Sequence, residues 1–263
     1  MVTKVCHMKD KKELSTIQFN GLSFFGGTKE ELLKILSAQL EENTQVRNGM
    51  LSLFTPNPEQ MVLSTKKASF RKNLESADIL LPDGSGIVWA IKRENVNAGS
   101  LQRLPGRELF HELLDLAEVK HSTVFLLGGK EGSARDIVMQ RKEQNSQLDW
   151  QYDEGRKEES ENALVKIVQY RPKILCVAYG APWQEEWICS HRQKLEEAGV
   201  QIALVVGGAF EYESGKIPPV PSLIQSMHLE WLQRLILEPW RLKRQLVGAT
   251  FFLDVLLGKY RTP

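Results

Sequence analysis

Cysteine is scarce in this chain of 263 residues, with only Cys6, Cys176 and Cys189. An odd number without Cys-x-x-Cys spacing gives no basis for a disulfide framework or a zinc site, and it points to a reducing compartment. Long apolar runs are missing too. None reaches the roughly 18 to 20 residues needed to span a bilayer, and the mostly apolar residues 22–25 are too few for the core of a signal peptide. A chain that stays in the cytoplasm and crosses no membrane is expected. Excess charge is also lacking: 34 Lys+Arg against 33 Asp+Glu leave a formal net charge of +1. That balance argues against a non-specific nucleic-acid binder and confines any basic surface to a local patch. No internal repeat or low-complexity segment stands out. What is present, 42% hydrophobic and 25% charged residues, is the composition of an ordinary globular protein.

Short β-rich runs alternate with helical patterns from about residue 17 to about residue 206, which predicts an α/β fold. The strand candidates are residues 50–54, 79–81, 124–127, 174–178 and 203–206. Several are continuous apolar runs, as in a parallel-rich sheet with helices on both faces. Apolar residues at three- and four-residue spacing predict helices over 29–40, 107–116, 132–142, 159–169 and 183–197. Past Val206 the pattern changes, with prolines at 218, 219 and 221. Residues 228–263 then carry six Lys/Arg against three Asp/Glu, mixed with aromatic residues and a Leu/Val series. The chain therefore divides into an α/β body, 1–227, and a C-terminal helical appendage, 228–263.

Polar residues and glycines follow the strand candidates: Thr55 and Asn57, Asp83 to Gly86, Gly128 and Gly129, Gly180 to Glu185, and Gly207 and Gly208. In an open α/β sheet, ligands bind at the carboxyl ends of the strands. Each group also has a structural reading: the glycine pairs as tight turns, Asn57 as a helix cap, and Asp83-Gly84 as an ordinary turn. Asp83 follows an apolar run ending in Pro82, and Gly84 and Gly86 leave room beside it. A carboxylate there suits a general base, because partial burial would raise its pKa towards the range that takes a proton from a hydroxyl.

Gly128-Gly129-Lys130-Glu131-Gly132 follows a strand and opens a helix, where backbone N–H groups can receive a phosphate. It matches neither GxGxxG nor GxxxxGK[ST], so phosphate binding stays and a dinucleotide cofactor goes. No Asp-x-Asp pair occurs, and the five histidines lack ligand spacing, so a metal is not expected. Charge on a leaving group would fall to arginines, of which 103, 107, 234, 241 and 244 are available. Ser222 and Ser226 have no nucleophile-elbow context, which leaves triad hydrolysis without support.

The ordered blocks Thr55-Pro56-Asn57, Asp83-Gly84-Ser85-Gly86, Arg103-Leu104-Pro105-Gly106-Arg107-Glu108-Leu109 and Phe125-Leu126-Leu127-Gly128-Gly129 resemble the WecG/TagA/CpsF glycosyltransferase family. Gly180-Ala181-Pro182-Trp183-Gln184-Glu185, Val206-Gly207-Gly208-Ala209-Phe210, and Leu229-Glu230-Trp231 through Arg234 to Glu238-Pro239 and Arg241 extend the resemblance to about residue 245. It implies an inverting, metal-independent enzyme without a cofactor. Such an enzyme moves a sugar, often N-acetylmannosamine, from a UDP donor to an undecaprenyl-diphosphate-linked sugar, most often GlcNAc, in cell-surface polysaccharide or teichoic acid synthesis.

Carried over residue by residue, the resemblance makes Asp83 the catalytic aspartate, with Thr55, Asn57 and Gln184 beside it. Substrate contacts then fall to Gly84, Gly86, Arg103, Gly128, Gly129, Gly180, Pro182, Glu185, Gly207 and Gly208, and to Arg234 and Arg241, which would meet diphosphate. Two positions depart from the family pattern: Pro219-Val220-Pro221 stands where Arg-Ala-Pro is usual, and His228 where glycine precedes Leu-Glu-Trp. One candidate phosphate-binding arginine is thereby lost. Relatives using UDP-glucose or a UDP-linked N-acetylmannosaminuronic acid would share the other blocks.

Residues 246–257 form a mostly apolar run flanked by Arg241, Lys243, Arg244, Lys259 and Arg261. That pattern fits an interfacial helix on an anionic membrane, or alternatively a terminal helix packed on the core. With a polyprenyl acceptor, the membrane version places the protein peripherally on the cytoplasmic face. Two rival readings are a nucleotide-binding regulatory protein without turnover and an oxidoreductase on the same plan. No nucleic-acid partner is implied, and the oligomeric state, a homo-oligomer included, stays open.

Overall fold

The structure, a computed structural model, describes residues 14–41, 49–95, 98–218, 220, 235–236, 238–239 and 242–260. It opens on a hairpin, β1 (Thr16–Phe19) and β2 (Leu22–Phe25). Asn20 and Gly21 supply the two positive φ angles, 50° and 67°, that a two-residue hairpin turn requires. Six further strands follow: β3 (Leu51–Phe54), β4 (Ile79–Leu80), β5 (Val124–Gly128), β6 (Trp150–Asp153), β7 (Ile174–Ala178) and β8 (Ile202–Val205). They form one eight-stranded sheet in the order β1-β2-β4-β3-β8-β7-β5-β6. Among the described residues, β1 and β2 pair antiparallel and every other neighbouring pair is parallel.

Helices cover both faces, and the strands sort their side chains accordingly. On one face lie α1 (Lys29–Leu40), α5 (Gly106–Val119), α6 (Ser133–Gln144) and the short α9 (Phe210–Glu213). Their apolar sides pack on Leu51, Leu53, Ile174, Cys176, Ile202 and Leu204. On the other face lie α2 (Pro58–Lys66), α3 (Ala68–Glu75), α4 (Ser85–Glu94), α7 (Ser160–Tyr170) and α8 (Trp183–Ala198). They cover Phe54, Leu175, Val177, Ala203 and Val205. Alternate residues of one strand thus enter two different cores, which is why β7 and β8 are apolar throughout.

The C-terminal run is helical, α10 (Leu242–Leu256), and it packs on α2 and α4. Phe251, Val255 and the following Tyr260 are buried in the same core as Phe19 and Phe24. Tyr260 stacks on Phe19 with centroids 5.6 Å apart, and Phe251 meets Tyr260 at 5.1 Å. The opposite side of the helix exposes Leu242, Leu246, Leu253 and Leu256, and Leu257 directly after it is exposed as well. One stripe is therefore core-packed, as one of the two expectations had it, and the other stripe is apolar and open. Among the described residues, no helix is long and apolar enough to cross a membrane.

Candidate functional site

All the parallel strands end at one edge of the sheet, so the segments after β3, β4, β7 and β8 converge there. Between them is a cavity of about 510 Å³, lined by Thr55, Asn57, Asp83, Gly180, Gln184, Gly207 and Gly208 among others. These seven residues come from four segments that are far apart in sequence. The order β4-β3-β8-β7 makes them neighbours.

Thr55 directly follows β3 and is almost fully buried, 8% exposed. A Cβ on Gly106 would lie 2.9 Å from its Cγ2, so only glycine lets the start of α5 approach this closely. Asn57 caps α2: its Oδ1 accepts from Gln60 N at 3.0 Å, while Gln60 Oε1 accepts from Asn57 N at 2.9 Å. The cap uses Oδ1 and leaves the amide nitrogen. Asp83, half-buried, is set by a tight turn in which its N–H donates to Leu81 O at 2.9 Å. Gly84 follows with φ 91° and caps α4. Gly86 serves packing: a Cβ there would meet Phe252 of α10 at 2.7 Å and Pro58 of α2 at 2.9 Å.

Gln184 is buried, 2% exposed, at the start of α8, just after Pro182. Its Oε1 accepts from Gly180 N at 3.1 Å and Gly207 N at 3.2 Å, and its Nε2 donates to Glu185 Oε1 at 3.1 Å. Glu185 is 1% exposed and lies outside the cavity lining. Burial pushes its carboxyl up to about 7, against the weaker opposing pull of the Gln184 hydrogen bond and its own backbone.

In the glycine loop at the end of β5, φ is 86° at Gly128 and 91° at Gly129. Two of its N–H groups serve the protein itself: Gly129 N donates to Ala178 O and Lys130 N to Ser133 Oγ. In the first turn of α6, Arg135 N donates to Glu154 Oε1. Lys130, by contrast, lines the cavity, and its Nζ lies 3.7 Å from Glu238 Oε1. Of the arginines, Arg107 and Arg244 line the cavity, and the Arg107 guanidinium sits 4.8 Å from the centre of the Tyr212 ring. Arg103 pairs with Glu108 at 3.6 Å and is not a lining residue. Arg234 and Arg241 lie outside the described residues. Among the described residues, no group of three or more His, Cys, Asp or Glu is placed to hold a metal ion.

Sequence reasoning did not single out Tyr179, Glu211 or Tyr212, which also line the cavity. Their signal was only position, one or a few residues past the β7 and β8 runs. The arrangement brings together a carboxylate, polar side chains, cations and open glycine backbone. It is suited to holding a polyhydroxylated, anionic ligand and to moving a proton at Asp83.

Residues 17–263 match the model of the glycosyl transferase WecG/TagA/CpsF family. Relatives from several bacterial strains carry the name N-acetylglucosaminyldiphosphoundecaprenol N-acetyl-beta-D-mannosaminyltransferase. The one from Bacillus subtilis (strain 168) is 32% identical over 77% of each chain. That from Bacillus spizizenii is 30% identical over 92% of this chain and 91% of its own, and that from Staphylococcus aureus (strain MRSA252) is 28% identical over 77% and 78%. A family match over nearly the whole length, with Thr55, Asn57, Asp83, Gly180, Gln184, Gly207 and Gly208 around one cavity, leads to one conclusion: the chain belongs to the WecG/TagA/CpsF family of glycosyltransferases.

Proposed function

We propose that this glycosyltransferase moves N-acetylmannosamine from a UDP donor to GlcNAc carried on undecaprenyl diphosphate, with inversion and without a divalent metal. The sugar and the lipid-linked acceptor come from the names of the relatives. The observation that carries the chemistry is Asp83 at the wall of one cavity with Thr55, Asn57 and Gln184.

Asp83 takes the proton of the acceptor hydroxyl as that oxygen attacks the anomeric carbon from the face opposite UDP. The new C–O bond forms as the bond to the UDP oxygen breaks, and UDP leaves with the electron pair. Thr55 and Asn57 position sugar hydroxyls, and Gln184 orients the sugar near the anomeric carbon. Cationic side chains at the wall, Arg107, Lys130 and Arg244, are suited to meet the diphosphate charge, together with Arg234 and Arg241. The division into a body, 1–227, and a C-terminal segment, 228–263, belongs to the same reading. The exposed leucines of α10 rest on an anionic membrane at its cytoplasmic face, where the acceptor is held.

The test is transfer by the purified full chain from UDP-N-acetylmannosamine, UDP-glucose and the UDP-aminouronic sugar to a synthetic polyprenyl-diphosphate GlcNAc, with and without excess chelator. Transfer from UDP-N-acetylmannosamine, unchanged by chelation, with an inverted anomeric centre is expected. Preference for another donor, retention, or a rate abolished by chelator and restored by magnesium or manganese would each refute the corresponding element.

A further inference from the structure

The Gln184 side chain is already engaged on three sides by the protein. Its carbonyl oxygen holds two N–H groups from different strand ends, Gly180 after β7 and Gly207 after β8. Two donors occupy both lone pairs of an amide oxygen. A sugar can therefore meet only the hydrogen of Nε2 that does not face Glu185. The amide orientation is forced as well. Turned over, the NH₂ group would oppose two N–H donors and the carbonyl would oppose the Glu185 carboxyl.

Gly180 and Gly207 both have positive φ, 76° and 51°, and at both a Cβ would find no atom within 4 Å, so no packing on that face holds them from the cavity. The Gly180 carbonyl accepts from Trp183 N and Gln184 N at the start of α8; the Gln184 amide oxygen is what links the Gly180 and Gly207 N–H groups to each other.

Glu185 is the anomaly of this arrangement. Its carboxyl is almost fully enclosed, it reaches Gln184 through Oε1, and among the described residues Oε2 has no hydrogen-bond partner. Burying a carboxyl against one neutral side chain and its own backbone N–H costs more than an apolar side chain would at the same place. The gain is an acceptor at the only free end of the Gln184 amide.

We propose that Glu185 is a positioning residue: its buried carboxyl holds Gln184 as a tie between the Gly180 and Gly207 loops and so fixes the floor of the transfer cavity. Glu185 acts through Gln184 and does not touch substrate. The effect on sugar transfer rests on the functional reading above; the effect on the two loops does not.

The test uses the full chain and two substitutions, Glu185→Leu and Glu185→Gln. Leucine has no acceptor for the Gln184 amide, while glutamine keeps one without the charge. Amide hydrogen exchange by NMR reads the tie directly. In Glu185→Leu the Gly180 and Gly207 amides are expected to exchange at least about tenfold faster, with Val177 and Leu204 in the adjoining strands unchanged. Because a displacement of about 1 Å near reacting atoms can cost on the order of 100-fold, kcat should fall at least about tenfold. KM for the UDP-sugar should stay within about threefold of its original value. Glu185→Gln should restore both readouts.

Unchanged exchange at Gly180 and Gly207, equal acceleration at Val177 and Leu204, or a Glu185→Gln protein as impaired as Glu185→Leu overturns the proposal. Should Glu185→Leu fail to fold, Glu185→Met, closer in shape to glutamate, is read by the same criteria. Exchange needs no substrate, so a wild-type chain inactive with UDP-sugars would sink the functional reading and leave this proposal to be decided by the two glycines.

Discussion

Nε of Arg244, on α10, lies 2.9 Å from both carboxylate oxygens of Glu59, on α2. This pair joins the C-terminal helix to the helix capped by Asn57, at the edge of the cavity that Arg244 lines. Ion pair and aromatic core both tie α10 to the body, and their weights differ. Arg244 and Glu59 are partly exposed, 45% and 29%, and such a pair contributes under about 1 kcal/mol. Phe251 is fully buried beneath the same helix, and truncating such a side chain costs about 3–5 kcal/mol. Urea unfolding should accordingly rank Phe251→Ala well below Glu59→Ala in stability. The reverse ranking would mean that α10 is held by charge and not by packing.

Asp83→Asn keeps the size of the side chain and removes the base. Its turn rests on the backbone bond from Asp83 N to Leu81 O, which the substitution leaves in place. Transfer should fall by about 10²- to 10⁴-fold with the melting temperature unchanged. Near-native turnover in the purified variant would remove Asp83 from the role of base.

Asn57 has two candidate tasks, and serine separates them. Asn57→Ala loses the cap on α2, at a cost of about 1 kcal/mol, together with the amide nitrogen. Asn57→Ser restores a capping oxygen without that nitrogen. Thermal unfolding should show the stability of Asn57→Ser close to wild type, while its transfer rate stays as low as that of Asn57→Ala. Recovery of both together would leave Asn57 as a cap alone.

The central strands and the long helices were legible because burial on both faces writes continuous apolar runs and three- and four-residue spacing into the sequence. Helix α1 falls on the expected residues, and the predicted strand at 174–178 coincides with β7. The hairpin of β1 and β2 was not anticipated although Asn20-Gly21 marks its turn; its four-residue strands are short beside the polar start of the chain. Strand β6, Trp-Gln-Tyr-Asp, sits at the sheet edge and exposes Gln151, so its pattern is weak. Helices α2 and α3 have nine and eight residues, too few for periodicity to declare itself. At the site, Asp83, Thr55 and Asn57 were legible as polar residues after apolar runs. The Gln184 tie and the Arg107–Tyr212 contact were not, because each depends on which strand ends become neighbours.

The outward leucines of α10 make a separable prediction. Leu253 and Leu256 are 61% and 53% exposed, so replacing both by glutamine, a good helix former, removes no core contact. Stability should change by under about 0.5 kcal/mol per substitution. Sedimentation with anionic liposomes should show weaker binding for the double variant than for wild type. Equal binding by both would dismiss this stripe as the membrane contact. Deleting the helix would not serve as a test, because Phe251 and Val255 would leave the core with it.

The last prediction concerns pH and follows from the enclosure of Glu185. Burial raises its carboxyl from the ordinary 4.5 to about 7. Between those values the folded chain holds a proton that the unfolded chain has released, so stability falls as pH rises through that window. Above about pH 7 the ionised form carries the full penalty, on the order of 3 kcal/mol at the 1.36 kcal/mol per pH step of linkage. Glu185→Gln does not titrate and escapes it. Every other titrating group is common to both proteins and cancels in the difference. Denaturant unfolding at about pH 5 should therefore find the two similar, and at about pH 8 should find Glu185→Gln the more stable. A stability difference that stays constant across the range would mean that Glu185 ionises at its ordinary pH and that its enclosure is not maintained in solution.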